Sequence, residues 1–379
     1  MRGEVPPASP LLGRPKAVAG VGVDAGIAVH YGDPLRESRL LEQGVAVADL
    51  SNRGVVTVSG PDRLSWLNSL TTQLLLGLAP RQSMSTLVLD PQGRIEHDLH
   101  VVDDGQTLWM TVEPGTSGAV VAWLDSMRFM LRVEVADVSD RFAVVGEPVA
   151  RESVEGELLA WVDAWPGPVG DTACYGPDAP VSRPVRGRAA LQRRLASGDA
   201  AGQVVSEQVG QVVPGFEHPG RERAWREVIV PREGIEGFVG DRPLAGMAAV
   251  EAQRIQAWRP RCGYETDSRT IPHELDWLRV AVHLRKGCYR GQETVARVHN
   301  LGRPPRRLFF AHLDGSGHTL PDLGAELTLD GRVVGRLSSV AMHHVDGPVG
   351  LGVVRRNTPV DAVLLAGDVT VAQTVIVQP

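Results

Sequence analysis

The chain has 379 residues, of which 43% are hydrophobic and 22% charged, with a formal net charge of −6 and a pI near 6.0. That length allows two or three domains of ~100–200 residues each, and the acidic balance excludes a general nucleic-acid or membrane-surface binder while leaving room for a local basic patch. No apolar run nears the ~18 residues that span a bilayer. The Pro/Gly/Ala-rich start lacks a signal-peptide core, and three scattered cysteines (174, 262, 288) without a Cys-x-x-Cys pair predict reduced thiols in a cytoplasmic protein.

Residues 1–35, with Pro6, Pro7, Pro10, Pro15 and Pro34, read as a tail and loose lead-in with a short strand near 26–30. From Gly44, Val45 and Val47 and then Val55, Val56 and Val58 mark short strands around the turn-prone Ser51-Asn52-Arg53-Gly54. Ser59-Gly60-Pro61-Asp62 opens a helix: serine caps, proline tolerates the first turn, and aspartate suits the positive N-terminus. Leu64, Leu67, Leu70 or Thr71, and Leu74 give it an apolar stripe at helical spacing. Strands follow over 85–90, 95–102 and 107–113, joined by the turns Asp90-Pro91-Gln92-Gly93 and Asp103-Asp104-Gly105. A second helix over 116–131 precedes strands at 132–136 and 142–145. This order is not a βαβ series, and no Gly-x-Gly-x-x-Gly precedes a helix, so an α+β domain with a largely antiparallel sheet fits better than a dinucleotide fold.

The pattern then restarts. A strand over 158–165 is broken by Pro166-Gly167-Pro168, an arginine-rich helix covers 186–196, and a strand covers 225–231. A helix starts at Asp241-Arg242-Pro243 and reaches Trp258; residues 259–285 are rich in loops, with a short helical stretch at 275–284. After Pro304-Pro305 the chain is nearly all β, with strands at 307–312, 326–329, 332–340, 347–354 and 369–377 and a strong hairpin signal at Asp330-Gly331, as in a small barrel or sandwich. The expected division is a tail (1–35), an α+β domain (36–147), a second α+β domain (148–240), a segment returning to the α+β body (241–305) and a C-terminal β-barrel (306–379).

The chemistry concentrates at Lys286-Gly287-Cys288-Tyr289-Arg290-Gly291-Gln292-Glu293, ahead of a helix start at 292–299. Lysine occurs only at 16 and 286, so 37 of the 39 cations are arginine. A lysine retained at 286 points to a need for a compact point charge where a planar fork would not serve. Lys286, Arg290 and the helix N-terminus favour thiolate at Cys288; a small buried cysteine between two loop glycines is the competing reading. Seven cations against one acid between Arg285 and Arg307 (Arg285, Lys286, Arg290, Arg297, Arg303, Arg306, Arg307 against Glu293) form a patch for an anion or a solvated surface. Alternation puts Glu96, Asp98 and His100 on one strand face, able to meet a ligand, although solvent exposure is the expected outcome. His343-His344 has no other ligands at metal spacing.

The eight-residue stretch resembles the signature of the folate-binding YgfZ proteins, relatives of the glycine-cleavage T-protein (GcvT, an aminomethyltransferase) and of mitochondrial iron–sulfur assembly factors. Thr294, Val295, Ala296 and Arg297 continue the likeness. It extends to Val47-Ala48-Asp49-Leu50-Ser51, Val58-Ser59-Gly60-Pro61-Asp62, Asp90-Pro91-Gln92-Gly93-Arg94-Ile95 and Arg254-Ile255-Gln256-Ala257, where Gln256 and Trp258 replace the usual glutamate and glycine. Gly263, Asp267, Pro272, Gly335, Ser338 and Ser339 resemble further landmarks. The resemblance implies a three-domain ring of mixed, largely antiparallel sheets plus an all-β barrel, with tetrahydrofolate or a one-carbon derivative in a central channel. It implies Cys288 and Lys286 as the reactive residues, and Asp98, Glu227, Arg254, Tyr289, Gly291, Gln292, Glu293 and Arg297 as folate-binding. T-proteins carry an Asp-Asp pair where this chain has His97-Asp98. That departure favours a folate-binding accessory factor for iron–sulfur enzymes, including radical enzymes that modify tRNA, over a folate-dependent aminomethyl transferase or an RNA-associated module.

Overall fold

The computed structural model describes residues 6–149, 158–165, 218–221, 223–317 and 319–379; the break at 166–168, Cys174 and the predicted helix over 186–196 lie outside them. The described residues fall into two compact units. One lies within Met1–Thr172, Arg223–Val250 and Val280–Gln292, the other within Ala173–Glu222, Glu251–Arg279 and Glu293–Pro379.

The first unit holds a small hairpin, β1 (Val18–Ala19) with β2 (Ala28–His30), and two five-stranded sheets. One is ordered β5 (Ser83–Leu89), β6 (Ile95–Asp103), β7 (Thr107–Val112), β4 (Gly54–Ser59), β8 (Glu134–Asp137), with every pair antiparallel. The other is ordered β10 (Ala160–Val162), β11 (Arg226–Pro231), β9 (Phe142–Glu147), β3 (Val47–Asp49), β12 (Leu244–Ala245), and only its β3–β12 pair is parallel. Val55 and Val102 of the first sheet and Val144, Trp161 and Ile229 of the second share one hydrophobic core. The predicted α+β class and antiparallel bias are therefore what forms.

Among the described residues, several α-helices flank these sheets, three of them ahead of β9. The first, α1 (Pro34–Glu42), starts where the Asp33 carboxylate accepts from Arg36 N at 2.9 Å and Pro34 takes the first turn, a capping pattern legible in the sequence but absorbed into the expected tail. Described residues ahead of it are not loose either, since Leu11 and Ile27 are fully buried. The second, α2 (Arg63–Leu70), starts just after the predicted opening turn, but its N-cap is Asp62 and not the expected Ser59. The Asp62 carboxylate makes no capping bond, because it accepts from Arg132 at 2.8 Å. The third, α3 (Ser117–Ser126), stops five residues before the predicted 131, because tight turns close over Met127–Leu131 and Phe129 takes a left-handed φ of 45°. Between β5 and β6, Asp90 Oδ1 accepts from the Gln92 and Arg94 amides, both at 2.8 Å, and fixes the expected tight turn.

The second unit ends in a closed barrel. Its order is β13 (Arg306–Leu313), β16 (Gly347–Arg355), β15 (Arg332–His343), β14 (Glu326–Leu329), β17 (Leu364–Ala366), β18 (Val369–Val375), every pair antiparallel. Of the two predicted architectures the barrel is the one formed. The strand that closes it, β17, is three residues long, too short to show a period in the sequence. Helix Met247–Gln256 ends before the predicted Trp258, whose φ of 58° is incompatible with continuing it. Helix Gln292–Leu301 forms where its start was expected.

Candidate functional site

In the first unit, two cross-strand pairs meet. His100 on β6 lies opposite Thr111 on β7, and Trp161 on β10 lies opposite Glu227 on β11. The His100 ring stacks on Trp161 with centroids 3.7 Å apart and planes within 5°. His100 Nδ1 is 3.1 Å from Glu227 Oε2, Thr111 Oγ1 donates to that oxygen at 2.6 Å, and Arg53 Nε approaches it at 3.5 Å. Asp98 Oδ2 lies 3.6 Å from His100 Nε2, and Arg53 Nη1 also donates to Glu113 at 3.2 Å. Glu227, with 3% of its side chain exposed, thus gathers two hydrogen bonds, from His100 and Thr111, and the Arg53 ion pair on Oε2, and none of them on Oε1.

Burial disfavours every charge in this cluster, so the partners decide the ionisation. Desolvation pushes Glu227 up, but Arg53 and His100 outweigh it and hold the carboxyl well below the usual range. Desolvation pulls His100 down, and the Glu227 and Asp98 carboxylates reverse that, lifting it to about 9. At neutral pH the cluster is a carboxylate braced by two cations. His97, one residue before Asp98, has no such partner, and burial lowers its proton affinity.

The expected solvent-facing row on β6 is therefore corrected. Glu96, 37% exposed, pairs with Arg290 at 2.8 Å, whereas His100 is covered by Trp161 of the second sheet and Asp98 is largely buried beside His100. Alternation gave the shared face correctly but could not say what covers it.

The Lys286–Glu293 stretch departs from its expected electrostatics. Cys288 is exposed, which overturns the buried-filler alternative. Lys286 Nζ donates to the carbonyls of Asn68, Thr71 and Gln73 at 2.5, 2.6 and 2.7 Å, and Arg290 goes to Glu96 and lies over Trp123. The hydrogen bonds of both cations are spent away from the thiol they were expected to polarise. Burial draws Lys286 down to about 7 and pushes the Tyr289 phenol up; the ammonium sits 5.2 Å from the centroid of that ring. Gly291 has φ +81°, and a Cβ there would lie 2.6 Å from Asp90 O, so only glycine fits against the β5–β6 turn.

In the second unit Arg254 is fully engaged by protein groups. It donates to Glu251 Oε2 at 2.6 Å, Glu265 Oε2 at 3.0 Å, Ser339 Oγ at 2.6 Å and Arg259 O at 2.5 Å. Burial would raise Glu251, but Arg254 and Arg261 bring it down to about 2. Gln292 is half-buried at the start of its helix, and Glu293 and Arg297 are exposed along it. The predicted seven-cation patch is not one surface. Lys286 is buried on carbonyls, Arg306 is held by Asp267 and Glu274, and Arg307 is buried in the barrel on Thr358 O and Gln373.

Sequence reasoning missed Arg53, Thr111 and Trp161, and the Thr71-Thr72-Gln73 run that receives Lys286. The available signal was that run itself, three polar residues at a helix end that are all buried.

Comparison with known proteins gives a consistent pattern. The profile of the GCVT N-terminal domain matches residues 28–154. A tRNA-modifying protein YgfZ of Escherichia coli is 30% identical over 234 residues, covering 58% of this chain and 67% of that protein. An aminomethyltransferase of a Nostoc species is 25% identical over 343 residues, covering 86% of this chain and 81% of its own length. The crystal structure of the glycine cleavage system aminomethyltransferase T from Bartonella henselae superposes with a TM-score of 0.68 at 17% identity, over 96% of this chain and 94% of that one, a likeness of fold.

Proposed function

Because this chain belongs to the YgfZ/GcvT-like family, we propose that it binds tetrahydrofolate or a one-carbon derivative at the Glu227–His100–Asp98 cluster and supports the assembly or repair of iron–sulfur enzymes, tRNA-modifying radical enzymes among them. The observation that carries the reading is Glu227: a buried carboxylate held ionised, with Oε2 saturated and Oε1 open to a further donor. A reduced pterin presents adjacent N–H donors on a flat ring, and an ionised carboxylate beside the flat His100–Trp161 stack suits both features. The residues present fit the group. Glu227 would hold the pterin, with Asp98 beside it. When bound, reduced folate supplies a nitrogen that carries a one-carbon unit.

Aminomethyl transfer is the second reading, motivated by the aminomethyltransferase relatives. It needs a free carboxylate to steady developing positive charge. Here the first position of the expected acidic pair is His97, kept neutral by burial, and Asp98 faces a protonated His100. The exposed Cys288 is the proposed working thiol of the accessory role.

Calorimetric titration with tetrahydrofolate tests the reading. Wild type should bind, Glu227→Gln should lose roughly tenfold or more, the worth of a charge-assisted hydrogen bond, and Cys288→Ala should bind as wild type yet fail to restore iron–sulfur enzyme activity in a strain lacking the gene. No binding by the wild type would overturn the folate assignment. Stoichiometric methylene-tetrahydrofolate from an aminomethyl donor would establish the transferase instead.

A further inference from the structure

We propose that Lys286 is a positioning residue: it clamps the 280–292 segment onto the 68–73 turn and thereby fixes the backbone that presents the Cys288 thiol. The inference rests on the reading of Cys288 as the working thiol, and it removes Lys286 from the chemistry.

The clamp has several teeth, all within the first unit. Gln73 Nε2 donates to Val280 O at 2.9 Å, Thr72 Oγ1 to Ala281 O at 2.5 Å, and His283 N to Thr72 O at 3.0 Å. Lys286 closes the row with its three bonds to Asn68, Thr71 and Gln73. Two of these carbonyls, Asn68 and Thr71, belong to the end of α2, where helix carbonyls lose their intrahelical partners and carry partial negative charge. Three carbonyls converging on one point match the three donors of an ammonium; the planar guanidinium fork has no such geometry. This accounts for a lysine at 286 in a chain that otherwise uses arginine almost throughout.

Past the clamp the chain is held again. Tyr289 is buried, and Gly291 is seated against Asp90 and Gly93 of the β5–β6 turn. Between the two anchors only Gly287 and Cys288 stand exposed. A thiol on a two-residue exposed step between fixed points has a set direction of approach, which a partner's reacting group can meet without an ordering cost.

The test uses the full-length protein with Lys286→Arg, Lys286→Met and Cys288→Ala, read by amide hydrogen exchange, tetrahydrofolate calorimetry and restoration of iron–sulfur enzyme activity in the deletion strain. Both Lys286 variants should exchange amides of 286–291 roughly tenfold faster, keep wild-type folate affinity, and lose restoration, with arginine giving no rescue. Wild-type exchange and function in Lys286→Arg would overturn the clamp in favour of bare charge. Faster exchange with full restoration in both variants would overturn its service to the thiol. If neither variant folds, Gln73→Ala, which leaves Lys286 in place and removes one tooth, must show the same faster exchange with reduced restoration, and wild-type behaviour there overturns the proposal. Restoration by Cys288→Ala would instead sink the thiol reading, and the clamp's purpose with it.

Discussion

Glu227 and His100 hold each other charged where burial opposes both, and the linkage follows from their opposite displacements. His100 titrates near 9 folded against an ordinary 6.5, so its stabilisation is complete below pH 6.5 and is lost as pH rises through 9. Glu227 is depressed, so its stabilisation is present above the ordinary 4.5 and fades only in strong acid. The His100 contribution to stability should therefore fall between pH 6.5 and 9 by up to about 3 kcal/mol, since each pH step separating the folded and unfolded titrations is worth ~1.4 kcal/mol. Against it stands the rise that Lys286, drawn down to about 7, adds above pH 7. In urea unfolding between pH 6.5 and 9, His100→Gln should lose this downward contribution, so that its stability changes upward with pH relative to wild type. Arg254 allows a second prediction at this scale. Arg254→Met leaves Glu251 and Glu265 buried without their shared cation, and chemical denaturation should register a loss of about 3–5 kcal/mol. His100 was legible as one of three polar residues on a strand face. Its charge state was not, because that depends on a carboxylate 127 residues away.

Among the elements, the β5–β6 turn and the Gly291 step show how much local sequence can fix and where it stops. Asp90-Pro91-Gln92-Gly93 is readable as a turn from its residues alone, since aspartate bonds its own downstream amides. Nothing local says that Gly291 packs on it. Gly291→Ala must place a Cβ 2.6 Å from Asp90 O at a φ of +81°, and we expect a loss of about 2 kcal/mol or more in urea unfolding, with faster hydrogen exchange in both the turn and 286–291. Helix ends behaved alike. The start of α2 was readable from its opening turn, whereas the end of α3 was set by an exposed turn through Phe129 that interrupts an apolar spacing still helical in the sequence.

For the whole molecule, pH sensitivity is carried by shifted bases in both units. His273, in the second unit, is drawn down to about 4 by burial, so the unfolded chain takes up its proton first as pH falls from 6.5 towards 4, and stability is lost over that range. In the first unit the two shifted bases oppose each other on the alkaline side: His100 loses stability as pH rises from 6.5 to 9, while Lys286, drawn down to about 7, gains it as pH rises from 7 towards its ordinary 10.5. Calorimetric midpoints should fall as pH drops from 6.5 towards 4, with His273→Asn flattening that acid limb, and above pH 6.5 His100→Gln should remove the downward contribution and leave the rise from Lys286. Sequence alone determined the α+β class, most strands, the barrel's composition and the family signature, because periodicity, turn chemistry and a contiguous motif are written in neighbouring residues. Tertiary structure alone decided that Lys286 grips carbonyls 213 to 218 residues away, that Glu227 braces His100, and that Arg306 and Arg307 leave the basic run for carboxylates and the barrel interior. Charges and donors choose partners by strand register and packing, and neither is encoded within the few residues around them.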